Sequence, residues 1–224
     1  FQTGFNTMNS IAVSTGTETN QTHISFGAVN SEGIIDNNKY NRYNFTFRNS
    51  WDIVKNVLSM DMGLFYIKQN NQNSNGQGMY YNPLVPIYLF PPSDDINKYA
   101  VYERYDADRN FKTQYWPYGN QGLGMQNPYW IINRNMFNTD RDRYIISLSM
   151  KWNITNWLNI IGRARIDNAY TDFERKLYAS TDGLFSKSQG NYMNQEDKNT
   201  STYLDFLVNV DKKFGENYHL LVNL

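Results

Sequence analysis

YIISLSMKWNITNWLNIIGRARI, Tyr144 to Ile166, decides the fold by which way its oily side turns. Every second residue places Tyr144, Ile146, Leu148, Met150 and Trp152 on one side, against Ile145, Ser147, Ser149, Lys151 and Asn153. The second half repeats the pattern, with Leu158, Ile160, Gly162, Ala164 and Ile166 against Asn159, Arg163, Arg165 and Asp167. Side chains alternate across a strand with period two, so the spacing predicts a β-hairpin with one apolar and one polar face. Two architectures share that pattern. A water-soluble sandwich turns the apolar face inward, whereas a membrane barrel turns it to lipid and lines a wet interior with the other face. Alternation alone leaves both open.

Composition narrows the choice. The 224 residues carry 21 basic and 21 acidic side chains, a net charge of zero, which argues against a nucleic-acid partner, since such binders carry a basic excess. There is no cysteine, so neither a disulfide framework nor a thiolate metal site can form. Mean hydropathy is −0.68, yet 16% of the residues are aromatic, including 18 Tyr and 5 Trp. No apolar run reaches the roughly 18 residues of a membrane-spanning helix, and the aromatic content argues against disorder. A barrel is polar on average and rich in interfacial aromatics. A soluble carbohydrate-binding β domain has a similar composition and stays open beside it. The chain opens on FQTGFNTMNS without an initiator Met or leader pattern and closes on HLLVNL in mid-alternation, so the expectation is a piece of a longer protein.

About eight alternating segments are legible, near Asn9–Thr15, Thr22–Val29, Tyr40–Asn49 and Leu58–Lys68, then the two halves of the opening hairpin, then around Leu204–Asp211 and from Tyr218 onward. The connections after the first, third, fifth and seventh are short (TGTETN, SWDIVKN, ITN, KKFGEN). Those after the second, fourth and sixth are longer: SEGIIDNN, then about 69–141, then about 170–200. Strict alternation of short and long ends is the habit of outer-membrane barrels, with short turns on one side and long loops outside. Tyr144 and Trp152 bracket roughly 26 Å of strand at about 3.3 Å per residue, or roughly 20 Å of bilayer at a tilt of about 40°. Trp51 and Trp157 sit at the short turns, where a headgroup-level girdle belongs.

The long loops carry more specific words. NPLVPIYLFP (Asn82–Pro91), VYERYD (Val101–Asp106), TQYWPYGNQGLGMQNPYWIINR (Thr113–Arg134), ERKLYAST (Glu174–Thr181), the opening FQTGFNTMNSIAVSTG and NRYNFTFRN near the third segment resemble the SusC/RagA family of TonB-dependent outer-membrane transporters. The resemblance covers nearly the whole chain and is close to the family's starch-uptake member. It implies an all-β fold, an antiparallel meander of about eight strands, part of a TonB-dependent outer-membrane β-barrel with long extracellular loops. On that reading, residues 1–224 are a partial barrel, and the plug and remaining strands lie elsewhere. It further implies an importer of oligosaccharides or peptides in the outer membrane of a Gram-negative, Bacteroides-type bacterium, driven by the TonB complex and working with a SusD-like surface lipoprotein. Glycan uptake is the expected activity, with outer-membrane lipid around Tyr144, Ile146, Leu148, Met150 and Trp152.

Enzyme chemistry finds little support. His23 and His219 lie near opposite ends and show no ligand spacing. DADRN (Asp106–Asn110) opens like a calcium loop, but Phe111 stands where that loop needs glycine and Pro117 where it needs a bidentate Glu. GNQGLG (Gly119–Gly124) departs from the phosphate-loop pattern and reads as a turn. Asp94 and Asp95 are adjacent and point apart in extended chain, so they make a poor acid/base pair. No catalytic residue, metal or cofactor is expected. The aromatic loop is the candidate site: Tyr80, Tyr81, Tyr115, Trp116, Tyr118, Tyr129 and Trp130, mixed with amides and carboxylates, can stack on sugar faces or dock a partner. A loop this long also needs a small core of its own, and the same rings can serve as that core. On the polar face Arg42, Arg48, Asp61, Lys151, Arg163, Arg165, Asp167, Asp205 and Asp211 are expected to line the interior and pair with one another or with a plug.

Overall fold

The computed structural model describes residues 2–74, 80–119, 125–215 and 217–224. Eight strands form one antiparallel sheet, each strand paired with its sequence neighbour in that sheet. They are β1 (Phe5–Gly16), β2 (Asn20–Glu32), β3 (Lys39–Val54) and β4 (Leu58–Gln72), then β7 (Asn135–Thr155), β8 (Leu158–Leu177), β9 (Asn191–Phe214) and β10 (Tyr218–Asn223). The excursion between β4 and β7 holds helix α1 (Leu84–Tyr88), a 3-10 turn (Ile96–Tyr99), the small hairpin of β5 (Glu103–Asp106) and β6 (Phe111–Gln114), and helix α2 (Pro128–Arg134). The all-β meander expected from the alternation is the observed architecture.

Register shows why the alternation matters. On β7, Tyr144, Ile146, Leu148 and Met150 are exposed while Ile145, Ser147 and Ser149 are half-buried. Pairing carries each outward residue into a row across the sheet. One row runs Val13, Ile24, Phe47, Leu64, Ile146, Ile166, and another Trp51, Met60, Met150, Gly162, Phe206. A third runs Leu58, Trp152, Ile160, Val208. A one-residue slip in any pair would turn a strand's apolar set to the other face, so this alignment is a strong constraint on register. The opposite face collects Arg48, Gly63, Ser147, Arg165 and Tyr203 in one row, and Ser50, Asp61, Ser149, Arg163 and Asp205 in the next.

The short turns are built by local chemistry. Thr17 Oγ1 accepts from the amides of Thr19 and Asn20 (3.3 and 3.1 Å), a hydroxyl-capped turn. Asn56 and Gly215 take positive φ (62° and 64°) in the turns after β3 and β9, a region open to glycine and tolerated by asparagine.

The strands outrun the alternation that revealed them. The expected loop at about 69–141 narrows to 73–134, because β4 reaches Gln72 and β7 begins at Asn135. The expected loop at about 170–200 narrows to 178–190. In these extensions, such as Asn191–Ser201, both faces are polar, so backbone pairing continues without an apolar side to announce it.

Candidate functional site

All three long connections meet at one end of the sheet and fold into a cap. From 33–38, the Asn37 side-chain amide donates to the Ile132 carbonyl (3.0 Å) and the Asn133 side chain (3.1 Å). From 178–190, the Ser180 hydroxyl accepts the Gln114 amide (2.8 Å), and Thr181 Oγ1 accepts the Trp130 indole N–H (3.0 Å). Thr181 in turn donates to Asn135 Oδ1 (2.8 Å) at the start of β7. Tyr81 sits edge-on against Phe137 (5.2 Å) and close to Phe185 (5.0 Å). Phe137 shares the polar-face parity of β7, so the cap leans over that face.

Within the cap, α2 is placed by Asn127 and Pro128. Asn127 Oδ1 accepts the Tyr129 amide (2.9 Å), capping the helix, and proline occupies its first turn, the residue pair favoured there. The other side-chain atom of Asn127 donates to the carbonyls of Tyr99 (2.9 Å) and Tyr115 (3.0 Å). That one buried side chain ties the helix, the 3-10 turn and the segment after β6. Trp130 is 1% exposed.

A second cluster surrounds Phe90, Tyr99, Trp116 and Tyr118, whose ring centroids lie 5.3–6.0 Å apart, mostly edge-to-face. Its electrostatic centre is Asp94. The carboxylate accepts from Lys98 Nζ (2.8 Å), the Tyr99 hydroxyl (2.6 Å) and the Tyr118 hydroxyl (2.7 Å). These bonds hold its pKa well below the usual carboxylate range and push Tyr99 up. Tyr81 is pushed up to about 12, chiefly by burial, and its hydroxyl has no partner among the described groups. Glu103 bridges Lys112 (3.1 Å) and Arg134 (2.8 Å). Burial raises its pKa, and the two cations more than offset that, so it ends below its ordinary value.

The seven expected loop residues therefore converge on one cap with different surroundings. Trp130 is enclosed, and Tyr81 is half-buried between two rings. Tyr80 packs edge-on against Phe185 (4.9 Å). The Arg104 guanidinium covers Tyr115, 3.3 Å from its ring centre. Trp116 and Tyr118 belong to the Asp94 cluster. Tyr129 lines a groove of about 210 Å³ with Ile35, Leu84, Ile87 and Ile132. Sequence reasoning missed Phe185, Phe137, Asp94 as an acceptor and Asn127 as a hub. Only Asn127 carries a local signal, the Asn-Pro pair opening a helix.

Below the cap, the polar face forms an open trough of about 770 Å³. Arg143 forks onto Asp167 (2.8 and 2.6 Å), and Arg165 reaches the same carboxylate at 3.3 Å. Arg163 forks onto Asp205, which also accepts the Tyr203 hydroxyl (2.5 Å). The expected pairing of interior charges with one another is present in these groups, and Arg143 joins them unanticipated. His219 contacts Asp211 (2.6 Å), and His23 contacts Ser14 (2.8 Å). Among the described residues no three His, Asp or Glu side chains converge on a metal-sized site. The DADRN stretch is the β5–β6 turn, with Asp106 Oδ1 accepting the amides of Asp108 and Arg109 (3.1 and 3.2 Å) and Asn110 at φ 58°. Residues 120–124 of the GNQGLG stretch lie outside the described residues.

No family model matches the chain and no curated protein matches it. Solved structures do. The chain is similar to the RagAB peptide importer in its closed-closed state, with a TM-score of 0.67 and 15% identity over 96% of this chain and 23% of that one. A second structure of the RagAB peptide transporter gives 0.66, 15%, 96% and 23%. The ferric-catecholate import receptor Fiu from E. coli K12 gives 0.50 and 10%, over 95% and 30%. The chain thus spans 23% of the RagAB chains it matches, and it shares the fold of that stretch of them. Those structures are described as an importer, a transporter and an import receptor.

Proposed function

We propose that the chain is wall and outer loops of a SusC/RagA-type TonB-dependent importer in the outer membrane of a Gram-negative bacterium. It would take up oligosaccharides with a SusD-like surface lipoprotein and the TonB complex. The observation that carries this reading is the set of apolar rows in register across the sheet, exposed on one face and backed by a charged face on the other. In this account Tyr144, Ile146, Leu148, Met150 and Trp152 meet lipid and the arginine–aspartate trough faces the pore. The cap receives substrate or the lipoprotein through Tyr80, Tyr115, Trp116, Tyr118 and Tyr129, while Tyr81 and Trp130 hold those rings in place. The work is gated passage, with no bond made or broken in the substrate.

A second reading, peptide uptake, is favoured by the likeness to a peptide importer. Deletion of the parent gene separates the two. Loss of growth on oligosaccharides with peptide uptake intact supports the first reading, and the reverse supports the second. A parent protein that partitions into water with no detergent requirement overturns both and favours a soluble carbohydrate-binding domain.

A further inference from the structure

The outward face has a charge boundary at each end. On β7 it is uncharged from Tyr144 to Trp152, and the row above Tyr144 pairs Lys68 with Asp142 and Tyr170 with Lys198. From Asp142 to Trp152 is roughly 33 Å of strand at about 3.3 Å per residue, or about 25 Å at a tilt near 40°, the height of a lipid-facing band. At the short-turn end, the described strand residues below the Trp152–Ile160 row place a single charge on this face, Lys212 of β9.

Parity fixes that placement. Phe206, Val208 and Val210 belong to the apolar rows, and Lys212 follows at the same period, opposite Leu220 of β10. Its amine lies 4.1 Å from the Trp157 ring centre and 5.1 Å from that of Phe214. The side chain is half-buried, so its stem covers apolar surface while its head stays at the edge. Lys213, one residue on, turns to the opposite face. Among the described residues no carboxylate pairs with Lys212.

We infer that Lys212, steadied by Trp157 and Phe214, seats the phosphate of an anionic phospholipid headgroup at the short-turn edge of the belt. The inference rests on the membrane reading above. A cation at that depth cannot retreat into the trough, and hydrocarbon would not solvate it. A headgroup phosphate supplies the opposite charge at the right level, and the two rings restrict the amine before lipid arrives, lowering the ordering cost of the contact.

The test uses the full-length parent protein in nanodiscs of phosphatidylethanolamine with either phosphatidylglycerol or phosphatidylcholine, with co-purified lipid counted by native mass spectrometry. Wild type should retain phosphatidylglycerol preferentially. Lys212→Gln should lower that retention by about fivefold, the scale of one lysine at an anionic surface, and leave phosphatidylcholine unchanged. Lys213→Gln should change neither. Equal retention in wild type and Lys212→Gln, or an equal loss in Lys213→Gln, overturns the site. A nitroxide on Leu148→Cys in the same discs reads the parent claim separately. A water-exposed label sinks the membrane reading itself, whereas a lipid-exposed label with no Lys212 effect sinks the headgroup seat alone.

Discussion

In the eight long strands no described residue between their ends is buried, while the cap encloses Trp130, Ile131, Asn127, Tyr99 and Met125. The same chain handles apolar surface in two ways. The cap buries its rings against one another, as a small globular core does. The sheet leaves its oily rows on the outside and relies on unbroken cross-strand pairing; on the reading proposed above, those side chains meet lipid. Cap residues answer to packing, and sheet residues answer to the medium they face.

The sharpest way to break that contrast is to empty the cap. Trp130→Ala in the full-length protein should lower the local opening free energy of the cap by about 3–5 kcal/mol, read by native-state hydrogen exchange. Amides of β7 between Tyr144 and Trp152 should keep their protection. Leu148→Ala in the same experiment should cost far less, since its side chain is exposed and leaves no cavity. Equal losses from the two would erase the distinction.

Next comes the sheet's response to charge. Leu148 lies midway between Tyr144 and Trp152, and Leu148→Arg should cost roughly 2–4 kcal/mol near a bilayer midplane. Ser149→Arg, on the trough side, should be tolerated. Urea titration of the barrel folded into vesicles measures both. Asn127→Ala should destabilise the cap by about 2 kcal/mol, through loss of the helix cap and two unsatisfied carbonyls. The reading is protease nicking between α1 and α2, with the strands intact.

The smallest effect is on pH. Asp94 has a folded-state pKa below that of the unfolded chain, so its contribution is complete above about pH 4 and is lost as pH falls toward the lowered value. Fluorescence from the Trp116 cluster should therefore change below about pH 4 in wild type. Asp94→Asn should flatten that acid response, and an unchanged response would remove Asp94 as the cluster's anchor.

The sequence revealed the strands where lipid or a core would demand alternation, as in Ile146-Ser147-Leu148-Ser149. It was silent where the strand stands clear of that demand, as in Asn191-Tyr192-Met193-Asn194, whose two faces are alike. The cap's aromatic residues were visible as a crowd, because thirteen rings in one connection are hard to miss. Their partners were not. Phe185 and Thr181 lie in a different loop, and only the meander brings that loop beside Tyr81 and Trp130. Asp94 looked like half of an unusable pair, since an acceptor of three side chains is defined by tertiary neighbours and not by spacing.

The decisive measurement is a nitroxide scan along β7, from Ile146 to Lys151, in the full-length protein reconstituted in lipid. Oxygen, which concentrates in hydrocarbon, and a water-soluble nickel chelate are used as relaxers. The account predicts strict alternation, with Ile146, Leu148 and Met150 favouring oxygen and Ser147, Ser149 and Lys151 favouring nickel. Uniform nickel access, or oxygen preference on the serine side, would contradict it.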